Sequence, residues 1–99
     1  MSLRGRHKKQ RIVSANPKIT QFSPRGKPGR PDEITLGMDE YEAIRLADYI
    51  GNSQKEAAKS MRISQQTFSR ILKQARKALA DSLVNGKSIH IQPDIPNSP

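Results

Sequence analysis

Between Ser53 and Leu83 apolar residues recur at helical spacing, and the pattern breaks once, at Arg62-Ile63-Ser64. Ser53, with Glu56 three residues on, makes a Ser-x-x-Glu capping box and opens a helix carrying Ala57, Ala58 and Met61. Ser64 caps a second helix, whose Phe68, Ile71, Leu72, Ala75, Leu79 and Leu83 follow the i, i+3, i+4 pattern until Asn85-Gly86 stops it. Two helices joined by so tight a turn cross steeply. They need small residues where they touch and apolar residues on both inner faces. Ala57 and Ala58 meet the first need, and Met61, Ile63, Phe68 and Ile71 the second. The turn favours glycine, because its backbone takes a positive φ. Arg62 stands there instead, at a cost of about 1 kcal/mol. Residues 54–72 therefore read as a helix-turn-helix.

The rest of the chain supplies a third helix and short extended pieces. Met38 begins the helix, with Gly37 as N-cap, Glu40 as the capping-box acid, and Asp39, Glu40 and Glu42 loading the positive end of the helix dipole. Tyr41, Ile44 and Ala47, and likewise Ala43, Ala47 and Ile50, recur along it, and Gly51 ends it. Ile12-Val13 and Ile19 to Phe22 are β-prone, Ile34 and Leu36 alternate with polar neighbours, and Ser88 to Ile91 alternates as a short strand. The fold class expected is mainly α: a three-helix, helix-turn-helix domain over 32–91 with short flanking β-strands. Before it, residues 1–31 form a basic arm and linker with short β segments. After it, 92–99, with three prolines, forms a flexible tail. Hydrophobic residues are 33% of the chain and Phe22, Tyr41, Tyr49 and Phe68 its only aromatics, which suits a small core with tails.

Charge is divided unevenly along the sequence. Of 18 Lys and Arg, nine fall in residues 1–31, where there is no acid, and residues 32–99 carry the other nine with all nine acids. A basic arm on a neutral domain is the electrostatic footprint of a polyanion binder. Inside the domain the charge separates again by helix. Residues 53–77 hold seven basic side chains against Glu56 alone, whereas 39–50 hold four acids and Arg45.

The polar face of the last helix gives that charge a use. A recognition helix meets base edges with its first turns, where Gln pairs with adenine, Arg with guanine and a Thr methyl with thymine. Gln65, Gln66, Thr67, Ser69 and Arg70 are the base-reading candidates. Ser64, Lys73, Arg76, Lys77, Arg62 and Lys55 are the phosphate candidates. Arg4, Arg6, Lys8, Lys9 and Arg11 are suited to a minor-groove arm or to a nonspecific backbone tether.

PKITQFSP (17–24), MDEYEAIRLAD (38–48), EAAKSMRISQQTFSRILKQAR (56–76) and VNGKSIHI (84–91) resemble a family of short, uncharacterised prokaryotic proteins. The resemblance covers residues 4–91. It implies helices similar to region four of sigma factors, flanked by short strands, and a role in DNA binding. In two places this chain departs from the pattern: members commonly have Met-Gly at Met61-Arg62 and Arg at Gln65. Many also carry a cysteine near Gln10, where this chain has none.

Other chemistries lack their residues. The absence of cysteine excludes disulfides and thiolate metal sites, and His7 and His90 are isolated, so no metal or cofactor is expected. Asp39, Glu40 and Glu42 are explained by the helix start. Ser53 and Ser64 are caps without a base beside them. RGKPGRP (25–31) lacks phosphate-loop spacing. The expectation is a non-enzyme, cytoplasmic and nucleoid-associated, with no signal peptide, no membrane partner and no small-molecule substrate. The partner expected is double-stranded DNA. A homodimer would supply a second half-site through Ile89 and Ile91 or through the end of the long helix. Two other readings stay open: an interaction module docking on RNA polymerase through the acidic helix 39–50, and an RNA- or ribosome-associated basic protein.

Overall fold

The computed structural model describes residues 12–13, 16–26, 29 and 31–92; the basic arm up to Arg11 and the tail from Pro93 lie outside the described residues. Two helices pack on a three-stranded sheet, and a third packs on the longer of these. The strands are β1 (Gln21–Phe22), β2 (Glu33–Gly37) and β3 (Ser88–Gln92). The helices are α1 (Met38–Ile44), α2 (Gln54–Met61) and α3 (Gln65–Asn85).

The sheet runs in the order β1-β3-β2, so the last strand is central. β3 pairs parallel with β2, setting Ile34 beside Ile89 and Leu36 beside Ile91. It pairs antiparallel with β1, setting Phe22 beside Ile89. All three helices lie in the β2-to-β3 crossover, which is the length of connection a parallel pair needs. β1 lies in the segment read as arm and linker, yet it is an integral strand of the sheet. Ile12-Val13 is not a strand: the Ile12 N–H donates to the Met61 carbonyl at the end of α2, 3.1 Å away, and Val13 packs against the cluster of Leu36, Met38, Ala75 and Ile91. Ile91 faces the core and is buried, and Ile89 packs beside it. Neither side chain is therefore freely exposed for a contact between copies.

Local hydrogen bonds fix the helix ends where the sequence puts them. Glu40 Oε1 accepts from the Gly37 N–H at 2.8 Å. Ser53 Oγ accepts from the Glu56 N–H at 3.1 Å while Glu56 Oε1 accepts from the Ser53 N–H at 3.0 Å. Ser64 Oγ accepts from the Thr67 N–H at 3.0 Å. Such caps satisfy donors that no helical carbonyl can reach. Arg62 lies in the left-handed region (φ 57°, ψ 44°). The N–H of Ile63 then reaches back to the Ala58 carbonyl at 3.1 Å, which closes α2 and turns Ile63 towards the core. Glycine takes this conformation without the Cβ clash. Arg62→Gly is therefore expected to stabilise the domain by up to about 0.5 kcal/mol, since the glycine's greater freedom when unfolded offsets much of the relief. A urea midpoint raised at constant slope is the readout; an unmoved or lowered midpoint would show that Arg62 sits there unstrained.

Two merged clusters make the core. Ala43, Leu46, Ala57, Ala58, Met61, Phe68, Ile71 and Leu72 fill the space between the helices. Leu36, Met38, Ala75 and Ile91 join α3 to the sheet. Leu46 was not among the expected core positions. After Ile44 the helix widens into a π-helical stretch, Arg45–Ile50, whose winding departs from the 3.6 period. Leu46, three residues after buried Ala43, faces inward, whereas Ile50 at the end of the widened stretch is turned outward, and the N–H groups of Gly51 and Asn52 both end on the Leu46 carbonyl. Leu83, placed on the apolar face by its spacing, is 86% exposed. Ser82 takes the inward position instead, its hydroxyl donating to the Lys87 carbonyl at 2.6 Å.

Glu42 is fully buried. Its two oxygens accept from Arg45 Nε and Nη2 at 2.8 and 3.0 Å, the bidentate pairing that a buried carboxylate requires.

Candidate nucleic-acid interface

With Phe68, Ile71, Leu72 and Ala75 turned into the core, the opposite side of α3 is set by geometry. Gln66, Arg70, Lys73 and Lys77 are separated by four, three and four residues, so they form one straight outward row. All four are exposed. The row is about 16 Å long at 1.5 Å per residue. Ser69 and Arg76, seven residues apart, form a second exposed row beside it. Gln65 is exposed on the first turn, where no acid is present. Lys55 near the start of α2, Lys59 near its end, and Arg62 in the turn are exposed as well.

Three of the residues named from sequence already have partners inside the protein. Ser64 Oγ accepts from the Thr67 N–H and donates to Thr67 Oγ1 at 2.9 Å. Both hydroxyls are thus engaged in the cap, and Thr67 is half-buried. Arg76 makes a two-point ion pair with Asp48: Nη2 to Oδ1 at 2.6 Å and Nε to Oδ2 at 3.1 Å. The guanidinium holds the Asp48 carboxyl below its usual range, chiefly through the hydrogen bond. Asp81 is lowered in the same way by bonds from Lys87 and Asn85. This pairing across 28 residues carries no local sequence signal. Tyr49, next to Asp48, is 85% exposed and was not singled out from sequence.

These depressed carboxyls set a pH response. They favour the folded state fully above the unfolded pKa, near 4, and that contribution fades as pH falls through the lower folded values. Asp81→Asn is expected to lower the melting temperature slightly at pH 7 and by less at pH 2. An equal loss at both values would mean that Asp81 does not act through its charge.

Arg4, Arg6, Lys8, Lys9 and Arg11 lie outside the described residues. The residue that follows them, Ile12, is tied to Met61 next to the α2–α3 turn. The acidic stretch presents less charge than its sequence suggests. Glu42 is in the core, Asp48 holds Arg76, and Asp39 and Glu40 accept backbone N–H groups at the start of α1. Among the described residues no three His, Asp or Glu side chains gather where a metal ion would bind. No described helix is long and apolar enough to cross a membrane.

Comparison with known proteins gives a family without an assigned activity. Residues 1–94 match the family model described as "Protein of unknown function DUF134". The chain is 45% identical over 89 residues to a UPF0251 protein of Methanococcus vannielii, covering 89% of this chain and 68% of the relative. It is 46% identical over 89 residues to one from Prosthecochloris aestuarii, covering 89% of this chain and 57% of the relative. A third, from Caldicellulosiruptor saccharolyticus, is 50% identical over 82 residues, covering 83% of this chain and 58% of the relative. The chain thus spans between about half and two thirds of the length of these relatives. No solved structure matches it. With nearly its whole length matched and close to half its residues shared with these relatives, the chain belongs to the DUF134/UPF0251 family of uncharacterised prokaryotic proteins.

Proposed function

We propose that the protein binds double-stranded DNA sequence-specifically and regulates transcription, with α2, the Arg62 turn and α3 acting as a helix-turn-helix similar to region four of sigma factors. The observation that carries this reading is the outward row of Gln66, Arg70, Lys73 and Lys77 on a helix whose other side is locked into the core. A helix fits the major groove, about 12 Å wide. In that pose the row's first two members meet base edges and the next two lie by the phosphates as the helix leaves the groove. Gln65 and Ser69 flank the readers, and Lys55 and Arg62 are the phosphate candidates outside α3. Ser64 and Thr67 serve the interface indirectly, by holding the first turn of α3. Ile12, where the described chain begins, is tied to Met61 beside the turn, and the basic residues of 1–11 are proposed as additional backbone contacts. A location on the nucleoid follows from this reading.

One recognition helix reads few base pairs, so a second copy is expected to supply a second half-site. Exposed Leu83 and Val84 support the end of α3 as the contact between copies. The reading is tested by selecting genomic fragments with purified protein at near-physiological salt. A short enriched motif, palindromic if two copies bind, is the expected result. Fragments held without a motif and released by modest salt would mean that backbone charge alone is at work. Docking on RNA polymerase through residues 39–50 has less support, because so little of that stretch's acidity is free on the surface. Preferential retention of structured RNA over duplex DNA would move the assignment to RNA.

A further inference from the structure

We infer that Asp48 is an electrostatic gate on the DNA-binding face: it holds Arg76 in the free protein and releases it to a backbone phosphate when DNA arrives. The inference rests on the DNA-binding reading above. Arg76 sits one turn beyond Lys73 and two turns beyond Ser69, in the row that borders the proposed readers. Its guanidinium is not sealed in. The side chains of Arg76 and Asp48 are 53% and 40% exposed, so a phosphate can approach where the carboxylate now sits. The contact is the planar two-point geometry that a guanidinium makes equally with carboxylate and phosphate. The two partners therefore compete for one fork, and only one occupies it at a time.

This separates Arg76 from Lys73 and Lys77, whose ammonium groups cannot form a two-point fork. A phosphate must displace a carboxylate already in place, and Asp48 itself repels the backbone. Loosely placed, nonspecific DNA gains little from that exchange. A correctly seated duplex, which presents a phosphate at the fork, gains a contact. Asp48 therefore widens the gap between specific and nonspecific affinity, a gain in specificity obtained through a repulsive element.

The test uses the full chain as wild type, Asp48→Ala, Arg76→Ala and the double variant. Duplexes carry either the selected motif or a scrambled sequence, and binding is titrated across salt. Thermal melts verify that each protein is folded, which the exposure of the pair favours. Asp48→Ala is expected to bind scrambled DNA about three- to tenfold more tightly. Its log–log salt slope should steepen by about 0.9, one phosphate's worth. In the Arg76→Ala background the same change should give no steepening and a clearly smaller gain, that of relieved repulsion alone. No gain with Asp48→Ala, or an equal gain with and without Arg76, overturns the gate while the DNA-binding reading stands. Absence of duplex binding by wild type and by Asp48→Ala overturns both. Asp48→Asn keeps the side chain's shape and serves as the second variant should Asp48→Ala melt early.

Discussion

Replacing Gln66 and Arg70 together with alanine should remove sequence preference and leave a folded protein that still holds DNA by charge. Both side chains stand at the leading end of the outward row and neither enters the core. A good two-point contact from Gln to adenine or Arg to guanine separates right from wrong base by about 1–3 kcal/mol. Losing both removes about 2–6 kcal/mol of discrimination, which at 1.4 kcal/mol per tenfold is roughly 30-fold to 10⁴-fold. Alanine is the better helix former, and the Ser64 cap is untouched, so α3 itself should persist. The readout is the ratio of affinities for motif and scrambled duplexes at fixed salt. A ratio that survives the double substitution would place recognition elsewhere, with the arm 1–11 the next candidate.

Phe68→Ala should be the most damaging single change to the fold. Phe68 is the largest of the fully buried side chains and lies in the cluster formed by the three helices. Ala43, Ala57 and Ala58 share that cluster. Small side chains are what allow the backbones to approach there, and they have nothing to extend into a void. Truncating a buried phenylalanine costs about 3–5 kcal/mol, against a total of about 5–15 kcal/mol for a domain of ordinary stability. At about 4–8 °C per kcal/mol, the melting temperature should fall by more than about 12 °C. A shift of only a few degrees would show that the cavity collapses, and that α2 and α3 are less tightly apposed than the burial of Phe68 indicates.

The sequence was most legible where one local hydrogen bond decides the structure. Ser53 with Glu56, Ser64, Gly51 and Gly86 bound helices where they were expected to, because each signal and its partner lie within a few residues. Arg62 was likewise readable as a left-handed turn residue from its place between two helices. The sheet was only half legible. β2 and β3 could each be recognised from alternation, yet nothing in either segment specifies that they pair, or that the later strand takes the centre. That arrangement comes from the helices, which carry the chain across and back. For the same reason Ile91 looked like an available contact and proved to be core. Ile50 and Leu83 were misplaced because a fixed period was extended through a stretch that widens and past the end of the packed face. In the candidate interface the outward residues followed from spacing, whereas Asp48–Arg76 joins two helices and has no local signature.

The sheet order also bears on when the protein can be finished. β1 and β2 do not touch each other in the ladder, and both depend on β3. β3 is the last element of the described chain to be translated. A nascent chain that has emitted everything through α3 already contains the residues of the helical cluster, but its two earlier strands have nothing to pair with. Leu36 also lacks Ile91, its neighbour in the ladder. The proposed reading head can therefore assemble before the platform behind it. Ser88 to Gln92 then supplies the ladder partner that both Gln21–Phe22 and Glu33–Gly37 require.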